Sequence, residues 1–360
     1  MRNPTLSDVA KAAGVSYATA DRVVNSRGNV ADKSIRKVQA AMEALGYVRD
    51  IAAANLSRGR VYRLAFLLPS GPNAFFAKMR AALSNLAAHL SAERVDIQIV
   101  DIAAFSHQGL RAALADIEVP GLDGIAIVGL SGASLQQPLA DLRDKGVSVV
   151  SLVSDLRADE RDAYVGINNL AAGRTAARLL GMAHSGRAGA VLTLAGSLDA
   201  EDHIQRLNGF RDVIKADFPH LTILDPILAK DDEAAVFDGM VERFKANDQI
   251  TAVYNVGAGN QGLVRALEAI APDPAPLCVV HELVAHSRAA LESGLIHFII
   301  DQRPDIEAAR AVTILRALID GRSKPPMPEL VPMIYVPDNL PAHTDPAHTD
   351  IHTGKAPLHD

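Results

Sequence analysis

At 360 residues with 49% apolar side chains, the chain is long enough for two or three cores, and its net charge of −6 taken alone argues against a nucleic-acid partner. A lone cysteine, Cys278, excludes a disulfide framework, and no apolar run approaches the roughly 20 residues needed to span a bilayer. Charges fill MRNPTLSDVAKAAG, where a signal peptide would need an apolar stretch, so a cytoplasmic protein with no membrane partner is expected.

The distribution of charge reverses the first impression. Residues 1–60 carry ten Lys/Arg against five acids, a net +5, and the remainder carries −11. A basic head on an acidic body suggests a small polyanion-binding module joined to a domain with another task.

Residues 1–46 are predicted to form three short helices. Thr5-Leu6-Ser7-Asp8 has the pattern of a capping box with Asp in place of Glu, and Leu6, Val9, Ala10 and Ala13 follow at helical spacing. Gly14 breaks the helix, Val15 and Ser16 complete a tight turn, and Ser16 is placed to cap a second helix over about Tyr17–Asn25. A third helix is expected from Asp32 to Leu45, with Ile35, Val38, Ala41, Met42 and Leu45 on one stripe. Residues 47–61 read as a connector holding one short helix over Ile51–Ser57, marginal on its own.

From residue 62 strand-like runs alternate with amphipathic helical stretches: RLAFLL, VDIQIV, GIAIVG, VSVVSLV, AVLTLA, LTILDPIL, ITAVYNV, LCVV and HFII. The pattern predicts a doubly wound α/β body over 62–337 with parallel sheets, and so many strands suit two sheets better than one. The segment 338–360 repeats Pro-Ala-His-Thr-Asp, lacks apolar periodicity and is expected to be disordered.

Helix, Gly-containing turn, helix is the helix-turn-helix arrangement, whose second helix enters the major groove. Tyr17, Ala18 and Thr19 in its first turn point at base edges, and Arg22 follows with a fork suited to guanine. Thr5, Ser16 and Asn25 suit phosphate contacts. A small helical bundle with surface charges would share a bare Ala-Gly turn, but not the whole string. TLSDVAKAAGVSYATADRVVNSRGNV followed by LGY resembles the headpiece of the lactose-repressor/galactose-repressor (LacI/GalR) family.

That resemblance implies that Tyr17, Ala18 and Arg22 are base-reading residues. It also implies that Leu56 wedges into the minor groove and that Ala53 packs beside it. Ala18 restricts readout at its position to apolar contact or shape. Asp21 replaces the family's small hydroxyl residue, and Arg49-Asp50 replaces Pro-Asn before the hinge.

Behind such a headpiece, the αβ body resembles a two-lobed, periplasmic-binding-protein-like (type I) effector domain with ligand in its cleft. Asn73-Ala74-Phe75-Phe76 resembles the family's Asn-Pro-Phe-Phe, and Arg206-Leu207-Asn208-Gly209-Phe210 its Arg-x-x-Gly-Phe. The implied effector contacts are Asn73, Phe75, Phe76, Arg206, Asn255, Glu282 and Gln302, with Ser154 added after VVSLV. Phe75 and Phe76 have an alternative as plain core, and Arg206 and Glu282 as an interlobe salt bridge. The mixed donors and acceptors suit a small neutral sugar or polyol.

Two motifs compete. Gly257-Ala258-Gly259-Asn260-Gln261-Gly262 has the form of a dinucleotide fingerprint with Glu282 twenty residues on, which would make the protein an NAD-dependent enzyme. It lies late in the chain, however, rather than opening a sheet. His281 and His286 mimic a zinc-protease pair, but i, i+5 spacing turns the second about 140° away. No metal, no cofactor and no catalytic set is expected. The resulting expectation is a homodimeric, repressor-type regulator reading a pseudo-palindrome in double-stranded DNA under control of a carbohydrate or polyol effector. A transport sugar-binding protein, the other alternative, would lack the basic head.

Overall fold

The computed structural model describes residues 4–24, 30–47, 61–117, 121–130 and 135–342. Asn25, Ala53, Leu56, the helix expected over 51–57 and the histidine repeat beyond Ala342 lie outside the described residues.

The head consists of α1 (Leu6–Ala13), α2 (Tyr17–Val24) and α3 (Asp32–Leu45). The capping box at Thr5 forms in both directions: Thr5 Oγ1 accepts from the Asp8 amide (3.3 Å), and the Thr5 amide donates to Asp8 Oδ2 (2.8 Å). Gly14 closes α1 in the left-handed conformation (φ 62°), where a side chain would be strained. Its amide donates to Lys11 O and that of Val15 to Ala10 O, the paired bonds of a Schellman turn. Val9, Ala10, Ala13, Ala20, Val38 and Ala41 make the small core. Leu45, on the expected stripe, is exposed at the end of α3.

Among the described residues the body holds twelve strands in two sheets. The first lobe has β1 (Tyr62–Pro69), β2 (Val95–Ile102), β3 (Gly124–Ile127), β4 (Ser148–Leu152) and β5 (Ala163–Val165), in the all-parallel order β2-β1-β3-β4-β5. Helices α4 (Ala74–Leu90), α5 (His107–Ala115) and α6 (Gln136–Asp144) connect them. The second lobe has β6 (Gly189–Ala195), β7 (Leu221–Ile223), β8 (Ile227–Leu228), β9 (Ile250–Asn255), β10 (Leu277–His281), β11 (Phe298–Asp301) and β12 (Met333–Tyr335). Their order is β12-β11-β10-β9-β6-β7, with β8 also paired to β6.

Apart from β8 and β12, both lobes repeat one doubly wound topology. Each therefore offers a crevice at the carboxyl ends of its strands, beside the switch points β1/β3 and β6/β9. Helices α7 (Asn169–Ala183), α8 (Glu201–Asp217), α9 (Glu233–Ala246), α10 (Asn260–Ile270) and α11 (Ala285–Glu292) serve the second lobe. The chain then returns: α12 (Pro304–Ile319) packs Ala308, Ala311, Val312 and Leu315 into the first lobe's core.

The structure also corrects the reading of two strand-like segments. LTILDPIL is two short strands, β7 and β8, and the last strand, β12, is antiparallel to β11. Among the described residues no helix is long and apolar enough to cross a membrane.

Candidate functional site

The head presents one face of α2 to solvent. Tyr17 is 60% exposed, and Ala18 and Arg22 are exposed beside it, one turn apart, while Ala20 on the opposite face is fully buried. Ser16 and Thr19 bond each other: the Thr19 amide donates to Ser16 Oγ (3.1 Å), and their hydroxyls lie 2.8 Å apart. Ser16 thus caps α2 and fixes where the reading face begins.

In the body, strand ends from both lobes enclose a cavity of about 180 Å³. That is below the ~300–1,000 Å³ of a typical drug-sized site, so it suits one compact molecule and not a dinucleotide. Of the residues singled out from sequence, Asn73, Phe75, Phe76, Ser154, Arg206, Glu282 and Gln302 line it. Asn255 does not. It stands behind the wall, fully buried, donating to Ala258 O (2.9 Å) and Asn260 Oδ1 (2.8 Å) and accepting from the Gly257 amide (3.2 Å). These bonds tie the glycine-rich loop to itself and to the end of β9, which explains the fingerprint-like string.

Arg206 reaches the cavity because α7 and α8 cross at backbone contact. A Cβ on Gly173 would lie 1.9 Å from Arg206 O, and one on Gly209 2.1 Å from Leu170 O. Phe210 stacks on Tyr254 with ring centres 4.6 Å apart. In the Arg-x-x-Gly-Phe string, then, Gly and Phe pack while Arg points inward. Its Nε donates to Asn169 Oδ1 (2.9 Å) and its Nη1 to Val256 O (2.6 Å). Nη2 lies 3.8 Å from Asp202 Oδ2 and has no hydrogen-bond partner.

Glu282 Oε1 accepts from Gln302 Nε2 (2.6 Å), which leaves Glu282 Oε2 and Gln302 Oε1 buried and unpartnered. A buried guanidinium, carboxyl and amide with spare hydrogen-bonding capacity around one small space fit hydroxyl groups well.

Sequence reasoning missed Asp202, His203, Lys230 and Asp231, all of which line the cavity. Asp202 and His203 precede Arg206 by about one helical turn, and that spacing was the available signal. Lys230-Asp231 follows β8, which the single-strand reading of LTILDPIL concealed.

Burial pushes the Asp202 carboxyl up, but the charges of His203 and Arg206 and a hydrogen bond from Ser154 outweigh it and hold it low. Burial raises Asp231 despite His203 and the bond from Asn73. Burial, reinforced by Asp301, pushes Glu282 up to about 8, so at neutral pH it is a neutral acid able to donate. His281 is a fully buried core residue at the end of β10, bonded to Tyr254 (3.0 Å), and His286 lies on α11. Among the described residues no group of His, Cys, Asp or Glu is placed to hold a metal ion.

The lobes are bridged across the cavity. Asn73 Nδ2 donates to Asp231 Oδ2 (2.8 Å), Ser154 Oγ accepts from the Glu201 amide (3.1 Å), and Lys78 Nζ donates to Leu283 O. The Phe105 and His203 rings approach to 5.9 Å.

The raised Glu282 has a measurable consequence. An unfolded Glu releases its proton near 4.5 and the folded one near 8, so between these values the native state binds more protons. Stability is therefore full below about pH 4.5 and falls as pH rises through 8, by ~1.4 kcal/mol per pH unit from this group. Glu282→Gln is expected to flatten the fall by that amount in denaturant titrations at pH 5 to 8. Asp231, Asp301 and Glu307, also raised, retain a residual slope. An unchanged slope would place the proton elsewhere.

Comparison with known proteins gives two family matches: "Periplasmic binding protein domain" over residues 64–323, and "Bacterial regulatory proteins, lacI family" over 5–50. Among curated proteins, the HTH-type transcriptional regulator DegA of Bacillus subtilis is 26% identical over 59% of this chain. CelR of Thermobifida fusca, also an HTH-type transcriptional regulator, is 30% identical over 60% of it. The chain spans only 60% and 62% of the lengths of these two relatives. An ABC transporter solute-binding protein from Burkholderia graminis, solved with D-arabinose, superposes with a TM-score of 0.72 at 23% identity. That match covers 79% of this chain and 98% of the other.

Proposed function

The chain belongs to the periplasmic binding protein domain family and carries a lacI-family helix-turn-helix domain at its N-terminus, and from this premise we propose a ligand-controlled DNA-binding transcriptional regulator. The carrying observation is the pairing of an exposed Tyr17–Ala18–Arg22 face with a buried cavity that holds three unpartnered polar atoms. The partition is a headpiece over 1–46, a hinge over 47–61, an effector body over 62–337 and a tail over 338–360. The protein acts in the cytoplasm as a homodimer on a pseudo-palindromic operator, the two heads meeting half-sites one helical turn or a multiple of it apart.

Tyr17, Ala18, Thr19 and Arg22 read bases, Thr5, Ser16 and Asn25 set register on phosphates, and Ala53 and Leu56 take the minor groove. The effector is a small carbohydrate or polyol held by Arg206, Glu282, Gln302, Asn73, Ser154 and the two phenylalanines. Asn255 shapes the loop rather than touching the ligand. A role as repressor follows if the operator overlaps a promoter. The basic head argues against a transport protein, and the cavity's size against an NAD enzyme.

Selection of duplexes from a random library by the full chain tests the reading. A single enriched pseudo-palindrome is expected, and Arg22→Ala should weaken binding to it by about 1–3 kcal/mol and relax the preference at one guanine. Enrichment of no sequence, or an unaltered preference in the variant, would contradict it.

A further inference from the structure

The two walls of the cavity differ in kind. From the first lobe come Phe75, Phe76, Ile102, Phe105, Val128 and Leu130, with prolines and alanines between them. The polar side chains that this wall contributes among the described residues are Ser70, Asn73 and Ser154, and each is already engaged. Ser70 Oγ donates to Ile102 O (3.0 Å). Asn73 caps α4 through the Phe75 amide and bonds Asp231. Ser154 accepts from the Glu201 amide and bonds Asp202. Opposite, the cavity-lining polar atoms that are buried without a partner are Arg206 Nη2, Glu282 Oε2 and Gln302 Oε1, on α8 and beyond the ends of β10 and β11.

A sugar hydroxylated all round would have to leave hydroxyls desolvated against the phenylalanines and aliphatic side chains, and burying a hydroxyl without a partner is costly. A molecule with hydroxyls on one edge and none on the other sets hydroxyls against the three unpartnered polar atoms and apolar surface against the first lobe's wall. We propose that the effector is such a one-sided polyol. Its hydroxyls face Arg206, Glu282 and Gln302, and a methyl, alkyl or aryl group lies against the first lobe. This deepens the reading of the cleft as a carbohydrate site and rests on it.

Calorimetric titration of the full chain with matched pairs tests it. L-Fucose is compared with L-galactose, L-rhamnose with L-mannose, and methyl and phenyl glycosides of glucose, galactose, xylose and arabinose with the free sugars. In whichever pair binds, the deoxygenated or alkylated member should bind at least about tenfold tighter. A parent sugar that binds equally well or better would overturn the one-sided ligand and leave the carbohydrate reading standing. Absence of binding by every member would overturn the carbohydrate reading, and this proposal with it.

Discussion

Replacing Arg206 by Met is expected to weaken ligand binding by ~1.5–3 kcal/mol and to lower the stability of the body by roughly 3–5 kcal/mol. Arg206 is 1% exposed, and its guanidinium holds together groups from three elements: Asn169 at the start of α7, Val256 O after β9, and Asp202 on its own helix. Met fills much of the same volume, so the loss is electrostatic. Asp202, buried and ionised, would keep His203 at 3.8 Å, the Ser154 bond and a backbone hydrogen bond but lose its guanidinium, while Val256 O and Asn169 Oδ1 would lose the arginine donor. Removing Nη2 would also take away a cationic donor that has no hydrogen-bond partner at the cavity wall, and a hydrogen bond from a charged group is worth ~1.5–3 kcal/mol in binding. Urea unfolding and ligand titration on the same sample measure both effects. Stability within about 1 kcal/mol of the parent protein would mean that Asp202 does not depend on Arg206.

Gly173→Val is expected to cost about 3 kcal/mol, at the upper end for overpacking, because the obstacle is backbone and cannot rotate away. The Cβ would meet Arg206 O at 1.9 Å, so α7 and α8 must separate. Separation also moves the Arg206 side chain out of line with Asn169, so ligand affinity should fall along with stability. The shift of the urea midpoint, read alongside a ligand titration, checks this. A stable variant with intact affinity would show that the helix crossing does not position the arginine.

Much of the fold was legible because parallel strands covered on both faces read as unbroken apolar runs, as in RLAFLL and ITAVYNV. The head was legible to its caps, since Thr5, Asp8 and Gly14 each answer a local backbone need. Three-residue elements escaped: Ala163–Val165 and Met333–Tyr335 carry too few residues for a period. Pro226, which has no amide hydrogen to donate, sits where β7 gives way to β8, and the apolar run continues across it.

In the cleft, Glu282 and Gln302 line the cavity because each immediately follows a strand, where the switch-point rule puts the crevice. Asn255 is the strand's last residue, so its side chain turned back into the loop. Asp202 and His203 become cleft residues only once α8 has packed on α7. That packing is decided by two glycines 36 positions apart, which no local pattern connects.

Control of the head by the cleft is read from the affinity of the chain for its selected duplex with and without a saturating cleft ligand. A filled cleft should change duplex affinity roughly 5- to 150-fold in either direction, with the duplex altering ligand affinity by the same factor. Equal duplex affinity at ligand concentrations that calorimetry shows to fill the cleft would contradict it.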